Sequence, residues 1–542
     1  MLRIMKASRI ALLVTLLLAA IGLSLLLRDE SGGPGRQPPT LHRGLSSDPE
    51  SIDPHKARSV QAAEVLRDIG EGLVAYSATG ELVGAAAESW SISDDGLTYT
   101  FHMRPEARWS NGDALTAEHF VFSLRRLVDP ATAAFYAQAV AAIVNAEGII
   151  ASQMAPSDLG VDVADDGALV ITLERPTPYL LSLLTHPSTF PVHPGSVAER
   201  GTAFTRPENL LSNGAYKLDS WEPGSVLKLI RNEQYWNSAE TSIEAVNYHV
   251  LTQEMTELNR YRAGEIDITG SIPPDSFEQV REQYRDQMHI APYLGIYYYG
   301  YNLTKPPFAG NAALRQALSM AIDRETLVEK VTGRGEAPAY SWVPPGVDNY
   351  EPRRLSFADM TQDERNAAAR RLYRDAGYSE DKPAQIELRY NTSDTQQRIA
   401  LAVQSMWRDV LGVETTLINE EFQVLLANMR EAEVTQVFRS SWIGDYNDAH
   451  TFLSILQGGS PSNMPRFAND EYDDLMRRAA EQVDPLARQL YLEEAERVLL
   501  GEHAVIPLYF YVSKHLVSPR VRDWGDNVLD YHYSQHLSLA TD

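Results

Sequence analysis

The chain has 542 residues, which is more than one ordinary domain holds, so two or three lobes are expected. Hydrophobic residues make up 44% of the sequence and charged residues 22%, a composition that supports full hydrophobic cores and excludes a disordered chain. The net charge of -25 argues against a nucleic-acid partner and favours neutral or cationic ones. The absence of cysteine excludes disulfides, zinc–thiolate sites, a cysteine nucleophile and a lipid-modified N-terminal cysteine.

The N-terminus has the features of an export signal. Basic residues at 3, 6 and 9 precede an apolar run of 18 residues, 10–27, which is at the lower limit of membrane-spanning length. No clean cleavage site follows Ala19-Ala20, so residues 1–30 are either a signal peptide or an uncleaved membrane anchor. Residues 31–40, rich in glycine and proline, are predicted to be a flexible linker. The rest is expected to be exported, either free or held at the membrane.

Strand and helix patterns alternate along the remaining chain, which indicates α/β lobes with mixed sheets. The predicted strands are Thr98–Met103, Ala168–Leu173, Val226–Arg231, Tyr293–Tyr301 and Val505–Val512. The predicted helices are 61–68, one capped by Thr116, Glu254–Ala263, one from the capping box Thr361/Glu364 to Gly377, one from Asp394 to Gly412, and one beginning at Asp484-Pro485. The predicted turns are Asp95-Gly96, Asn111-Gly112 and a hairpin at Asn213-Gly214.

The strand Tyr293–Tyr301 contains five tyrosines in nine residues. Strand periodicity places Tyr297, Tyr299 and Tyr301 on one face and Tyr298 on the other. An isolated aromatic residue is more often part of a core than of a ligand site. So many hydroxyls nevertheless favour a wet cleft over a dry core.

Motifs of the common enzyme classes are missing: the sequence has no GxxxxGK[ST], HExxH, GxSxG or GxGxxG. Asp445, Asp448 and His450 are spaced like metal ligands, but the segment lacks the glycine and the distal glutamate of a calcium loop. We therefore expect a protein that is not an enzyme and that has no metal and no cofactor.

The segment 437–456, VFRSSWIGDYNDAHTFLSIL, joins a strand pattern to a helix pattern through a glycine turn. Asp445 follows the turn, and the ordinary interpretation is a turn or capping residue. Asp448 is better placed to cap the helix, which leaves the Asp445 carboxylate available to bind an ammonium group in a closing pocket. Trp442 is either core or ligand contact, and Arg439 and Arg430 form either surface ion pairs or a carboxylate site.

Several ordered segments carry a family resemblance: SIDPHKA, EGLV, AESWSISDDGLTYTFHMRPEARWSNGDALTAEHFVFSLRRLVDP, LLSNGAYKLDSWEPG, YWN, NRYRAGEIDI, YYYGYN, PPFAGNAALRQALSMAIDRE, YNTSD, SWIGDYND and IPLYFYV. From Leu41 to its end, the chain resembles the periplasmic oligopeptide-binding proteins of bacterial ABC importers, extracellular solute-binding protein family 5. The segment SWIGDYND resembles their peptide pocket.

The resemblance implies an α/β, three-domain Venus-flytrap fold of the type II, cluster C-like class. Domain I would comprise 41–70, 195–294 and 513–542, domain II 71–194, and domain III 295–512. Domains I and III would close on an extended short peptide that pairs with protein backbone as an added strand. The closed form would deliver the peptide to the permease and ATPase of an ABC transporter in the inner membrane. A monomer is expected.

The resemblance also assigns roles to single residues. Asp445 matches the acid that holds the α-ammonium group of the peptide, and Trp442 belongs to the same motif. Arg439 and Arg430 match the cations that receive the C-terminal carboxylate. The other matching positions are the pocket aromatics Tyr136, Tyr293, Tyr298 and Tyr511 and the backbone-pairing residues Val60 and Ser441.

Some positions depart from the family pattern. Arg58 and Gly300 stand where well-known members have acids, and Gln396 stands where they have a histidine. Gly295 and Ile443 replace a cysteine pair. We therefore expect a preference for acidic or neutral peptides over lysine-rich ones. The alternatives are a binder of another solute, such as a muropeptide, a nickel complex or haem, and a tethered peptide sensor or chaperone without a transport role. Asp445 favours a ligand with a free α-amine and disfavours a nickel complex or haem.

Overall fold

A computed structural model of the protein describes residues 39–432 and 436–540. The predicted signal or anchor at 1–30 and nearly all of the predicted linker lie outside these residues. Within them, no helix combines the length and the apolarity needed to cross a membrane.

The strands and helices follow one another along the whole described chain. The strands are β1 Thr40–Leu45, β2 Val74–Tyr76, β3 Leu82–Gly84, β4 Ala87–Ile92, β5 Thr98–Met103, β6 Val161–Val163, β7 Leu169–Thr172, β8 Tyr216–Glu222, β9 Val226–Arg231, β10 Ala245–Val250, β11 Met288–Tyr301, β12 Ala337–Pro338, β13 Gln385–Asn391, β14 Glu414–Glu420, β15 Val437–Ile443, β16 Val505–Leu516, β17 Val521–Arg522 and β18 Ser538–Leu539. The helices are Val60–Ile69, Ala117–Val128, Ala146–Ile150, Leu180–Leu183, Pro194–Arg200, Glu254–Arg262, Phe277–Gln283, Ala312–Met320, Arg324–Thr326, Gln362–Asp375, Asp394–Leu411, Phe422–Glu431, His450–Leu453, Asp470–Glu481 and Pro485–Gly501.

Three larger sheets, each with its own hydrophobic core, organise the fold. The first has the order β1-β10-β9-β8, with β1 parallel to β10 and the other pairs antiparallel. The second, β4-β5-β7-β6, is antiparallel throughout and packs against the helix Ala117–Val128. The third has six strands in the order β12-β16-β11-β15-β13-β14 and mixes parallel with antiparallel pairs. The expected α/β class with mixed sheets is confirmed.

Local sequence signals fix most element boundaries. The strands Thr98–Met103 and Val226–Arg231 have the predicted ends. Thr361 accepts from the Glu364 amide while the Glu364 carboxylate accepts from the Thr361 amide, so the predicted capping box is present. The helix Asp394–Leu411 ends where Gly412 takes a left-handed φ of 73°, a conformation that glycine adopts without strain.

The predicted hairpin at Asn213-Gly214 is wrong. The Asn213 side chain is buried and bonds both backbone groups of Glu71, accepting from its amide at 3.2 Å and donating to its carbonyl at 2.7 Å. A Cβ on Gly214 would lie 2.6 Å from the Gly70 nitrogen, so glycine is needed for close backbone packing. The hairpin itself turns at residues 223–225, between β8 and β9.

The tyrosine strand is part of the core, and the expectation of a wet cleft along it is wrong. β11 is an inner strand of the six-stranded sheet, between β16 and β15. Because helices and loops cover both faces of this sheet, the side chains of Tyr297, Tyr298, Tyr299 and Tyr301 are all buried. Tyr293, at the other end of the segment, remains half-buried.

Candidate functional site

The turn that follows β15 lines a cavity of about 150 Å³. Its walls come from distant parts of the chain: the start of the helix Val60–Ile69 with the preceding loop, residues 136 and 186–188, and the C-terminal residues 529–531. Five of the twelve residues predicted for peptide binding line it, namely Asp445, Tyr136, Tyr293, Val60 and Arg58. A second chamber of about 200 Å³ adjoins it and shares Asp445, Tyr136 and His186 with it.

The Asp445 carboxylate has no cationic partner among the described residues. Burial raises its pKa to about 6, and a hydrogen bond from the Thr451 hydroxyl acts in the opposite direction. The Thr451 oxygen also accepts from the Asp445 amide at 3.2 Å and from the Trp442 indole at 3.4 Å. A desolvated, unpaired carboxylate binds a cation more strongly than an exposed one does. Trp442 does not line the cavity, and its contact with this site is the hydrogen bond to Thr451.

The turn before Asp445 is closed by tight packing around Gly444. The Gly444 amide donates to the Leu294 carbonyl at 2.8 Å. A Cβ at this position would lie 3.0 Å from the Phe452 ring and 3.2 Å from a methyl of Thr451. Glycine thus brings the segment close enough for Thr451 to reach the aspartate.

Asp448 and His450 already have partners. Asp448 accepts two hydrogen bonds from Arg488, both at 2.8 Å, and one from the His450 amide at 2.8 Å. The His450 ring is 2.9 Å from the Tyr446 hydroxyl. The predicted capping role of Asp448 is wrong, because Ala449 is at the N-cap of the helix His450–Leu453 and provides no side-chain cap. The Asp448 carboxylate instead bonds the His450 amide from one position further upstream and forms an ion pair with Arg488.

A polar cluster lies further along β15. The Arg439 guanidinium lies 5.4 Å from the centre of the Tyr297 ring and 3.5 Å from the Ser441 hydroxyl. It forms no ion pair with a carboxylate in the described part of the chain, and its Nε is buried without a hydrogen-bond partner. Tyr297 donates to Gln396, so three of the predicted residues, Arg439, Ser441 and Gln396, lie around the Tyr297 ring.

The outer edge of β15 is open next to this cluster. On one side β15 pairs with β11 from Val437 to Ile443. On the other side, β13 pairs only with Val437 and Phe438. Within the described residues, the backbone from Arg439 to Ile443 therefore has no strand partner on that edge, which leads directly to Asp445.

Three predicted residues have other environments. Tyr298 is buried with its ring edge-on to Trp342 at 4.8 Å, so it is a core residue and not a cavity aromatic. Arg430 is exposed near the end of the helix Phe422–Glu431 and does not line the cavity. Tyr511 packs beside Gly295, where a Cβ would be 2.9 Å from its ring, and it also lies outside the lining.

The positions that depart from the family pattern differ in their access to the cavity. Arg58 lines it from the exposed side, 6.0 Å from the Phe135 ring. Gly300 does not, because the Phe438 ring fills the space above it and would be 2.4 Å from a Cβ. The expected effect of Gly300 on the cavity charge is therefore wrong. Gly295 and Ile443 are directly opposite in the β11–β15 pairing, as their match to a cysteine pair implies.

Three further charged or titratable residues line the cavity that were not predicted from the sequence. Arg67 is 7% exposed, and its guanidinium stacks on Tyr531 at 3.8 Å without an ion pair among the described residues. Burial and Arg67 lower the pKa of His186 to about 3, so its ring is neutral where it meets Tyr136. The pKa of Glu64 is raised by burial, against the effect of Arg43 and Arg67. The position of Glu64 and Arg67 on one amphipathic helix was the available signal.

The chain matches the family described as bacterial extracellular solute-binding proteins, family 5 (middle part), over residues 81–464. It is 37% identical over 505 residues to the periplasmic oligopeptide-binding protein OppA of Escherichia coli (strain K12), covering 92% of each chain. It is 37% identical over 539 residues to the periplasmic murein peptide-binding protein MppA of the same organism, covering 99% of this chain and 100% of the relative. The unliganded open form of MppA superposes with a TM-score of 0.83 at 36% identity, covering 93% of this chain and 98% of the other. The chain therefore belongs to the bacterial extracellular solute-binding proteins, family 5.

Proposed function

We propose that this protein binds short peptides with a free α-amino group and delivers them to the permease and ATPase of an ABC importer. The observation that carries the proposal is the unpaired Asp445 carboxylate at the end of the open edge of β15. An extended peptide pairing with this edge would place its α-ammonium group at Asp445. The chain lies in a family of solute-binding proteins, and two relatives are named for binding peptides.

The same geometry supports a role for the residues along β15. A peptide paired with the backbone at Ser441 would run from Asp445 towards Arg439, whose guanidinium has no carboxylate partner among the described residues. The C-terminal carboxylate of a short peptide would supply that partner. Gln396 lies next to the same cluster and would contact the end of the peptide. Pairing through the backbone binds peptides in general and does not require a particular sequence.

We further propose the domain ranges 41–70, 195–294 and 513–542 for domain I, 71–194 for domain II, and 295–512 for domain III. The three main cores support this division, because nearly all their residues fall within these ranges. β11 and β16 cross from domain I to domain III, and their pairing is irregular between Pro292 and Ile296, near the proposed boundary. Bending at this position would open and close the cleft.

The cavity wall carries two cations that can pair with an acidic group of a peptide, beside the carboxyl groups of Glu64, Asp445 and Asp530. Arg58 and Arg67 both line the cavity without an ion pair in the described chain. Lysine side chains would be repelled there, whereas a glutamate or a muropeptide carboxylate would gain a partner. A muropeptide is thus the second candidate ligand, and it shares the α-amino group that Asp445 would bind.

The role of the protein would be to bind and deliver its ligand without converting it, in the periplasm of the cell. Native mass spectrometry of the purified protein would test the proposal by identifying retained ligands. We expect peptides of a few residues with free N-termini, unchanged in mass after prolonged incubation. Ligands without an amino group, or progressive cleavage of a bound peptide, would contradict it.

A further inference from the structure

A histidine–aspartate–histidine cluster lies beside the cavity, and one of its members, Asp530, is part of the cavity wall. Among residues 39–432 and 436–540, His515, Asp530 and His532 form the one group whose potential ligand atoms all lie within 4.8 Å of one another. The Nε2 atoms of both rings are 2.9 Å from the same oxygen, Oδ1 of Asp530. The side chains are 13%, 25% and 5% exposed, in that order.

We propose that these three residues bind one Zn²⁺ ion. Two imidazole nitrogens and one carboxylate oxygen form a common protein ligand set for zinc, with a fourth position left for water. Ligand atoms around a tetrahedral zinc ion are about 3.3–3.6 Å apart, given metal–ligand distances of about 2.0–2.2 Å. The two nitrogen–oxygen separations of 2.9 Å need a small outward movement of the side chains, and the ligand atoms of all three residues lie within 4.8 Å of one another.

The hydrogen bonds of His515 support a cation at this position. Its Nδ1 is 2.7 Å from the carbonyl oxygen of Thr269, which can only accept, so Nδ1 carries a proton. Its Nε2 faces the Asp530 carboxylate oxygen at 2.9 Å, so either a proton or a metal ion lies between these two atoms. A backbone carbonyl that holds the second nitrogen is also the usual outer partner of a zinc-binding histidine.

The surroundings of Asp530 fit the same role. Ion pairs to Asp530 come from imidazoles, with no lysine or arginine within bonding distance in the described residues. Asp530 has a φ of 58°, a left-handed backbone that non-glycine residues adopt at a cost and that occurs often at functional sites. The Trp524 ring stacks on His532 at 3.7 Å and fixes its orientation.

The ion would connect two separate segments of the chain. His515 is on β16, and Asp530 and His532 are on the C-terminal segment that contributes residues 529–531 to the cavity wall. Zinc would therefore hold this wall against β16 and stabilise the folded protein by mass action. This proposal does not depend on the identity of the peptide ligand.

Zinc titration of the tag-free, chelator-treated protein by isothermal calorimetry tests the proposal. We expect one Zn²⁺ per chain, and at least roughly tenfold weaker binding in each of His515→Ala, Asp530→Asn and His532→Ala. The control is His289→Ala, which removes the histidine opposite His515 in the β11–β16 pairing but none of the proposed ligands. Its affinity should equal that of the unsubstituted protein. Far-UV circular dichroism and the thermal melting of each variant would report whether it is folded.

Cobalt provides a test that needs no variant, since Co²⁺ in a tetrahedral nitrogen–oxygen site absorbs visible light strongly and zinc should abolish that absorption. The proposal is overturned if the unsubstituted protein takes up no stoichiometric zinc, in which case a proton lies between His515 and Asp530. The proposal is also overturned if the three ligand variants bind zinc as tightly as the unsubstituted protein does, or if only His289→Ala loses zinc binding.

Discussion

The backbone amide of Asp445 donates to the hydroxyl oxygen of Thr451 at 3.2 Å, at the position where Asp445 lines the cavity. The same hydroxyl donates to the carboxylate and keeps its pKa from rising further. We therefore expect Thr451→Val, which keeps the shape and removes the hydroxyl, to weaken peptide binding by about 1 kcal/mol, or roughly fivefold. Thr256→Val, on an exposed position of the helix Glu254–Arg262, is the matched control and should bind normally. Calorimetry with trialanine measures both, and equal affinities would contradict the role of Thr451.

Peptide affinity should depend on pH through Asp445. Its carboxyl is neutral below a pKa of about 6, and a neutral acid does not attract an ammonium group. At one pH unit below that value the affinity should be about tenfold lower than at neutral pH. It should fall again above about pH 8, where the α-amino group of the peptide loses its proton. In Asp445→Asn the loss of affinity at acidic pH should be absent. If the variant loses affinity at acidic pH to the same extent, another titrating group causes the loss.

The unliganded protein should become more stable when Asp445 is replaced by asparagine. Because the folded-state pKa is raised, protonation stabilises the fold below the ordinary value of 3.8, and this contribution is lost as the pH rises through about 6. At neutral pH, Asp445→Asn should therefore raise the free energy of unfolding by about 1–2 kcal/mol, after allowance for solvent screening. At pH 4 the difference should nearly vanish. Urea unfolding at both pH values measures it, and a destabilised variant at neutral pH would contradict the account.

Charge selectivity should follow from Arg58 and Arg67. Both cations line the cavity, so a tripeptide rich in glutamate should raise the melting temperature more than a matched lysine-rich tripeptide. Arg58→Glu should reduce or reverse this difference without unfolding the protein, because the side chain is exposed. Thermal-shift titration compares the two peptides, with Lys56→Glu, two residues away and outside the cavity lining, as the control. Tighter binding of the lysine-rich peptide by the unsubstituted protein would contradict the prediction.

Binding of the C-terminal carboxylate of a short peptide should depend on Arg439. Trialanine should bind more tightly than its C-terminal amide, and Arg439→Gln should remove most of that difference, worth about 1.5–3 kcal/mol for a hydrogen bond to a charged group. Arg398→Gln, on an exposed position, is the control. If Arg439→Gln weakens both peptides equally, its role is to support the strand and not to bind the carboxylate.

Local structure was largely predictable from the sequence because capping and turn residues act over a few positions. The capping box at Thr361 and the proline start at Pro485 both hold in the structure. The hairpin prediction at Asn213-Gly214 was wrong because the same dipeptide also suits close packing between distant segments, here next to Glu71. The prediction of a wet cleft along the tyrosines of β11 was wrong because strand periodicity does not reveal that both faces of an inner strand are covered.

The site was predictable only in part. Asp445 was identified from its motif, but the hydrogen bond to Thr451 depends on how the Gly444 turn closes. The stacking of Arg67 on Tyr531 joins residues that are far apart in sequence, and no local pattern indicates it. The same holds for His515 and Asp530, whose spacing matches none of the recognised metal-binding motifs.

The central claim is that Asp445 binds the α-ammonium group of a peptide, and calorimetry with trialanine and N-acetyl-trialanine tests it most directly. The unsubstituted protein should bind trialanine at least a hundredfold more tightly, since acetylation removes the charge and leaves the carboxylate desolvated without a partner. In Asp445→Asn most of this discrimination should be lost. Equal binding of the two peptides by the unsubstituted protein, or unchanged discrimination in Asp445→Asn, would contradict the account.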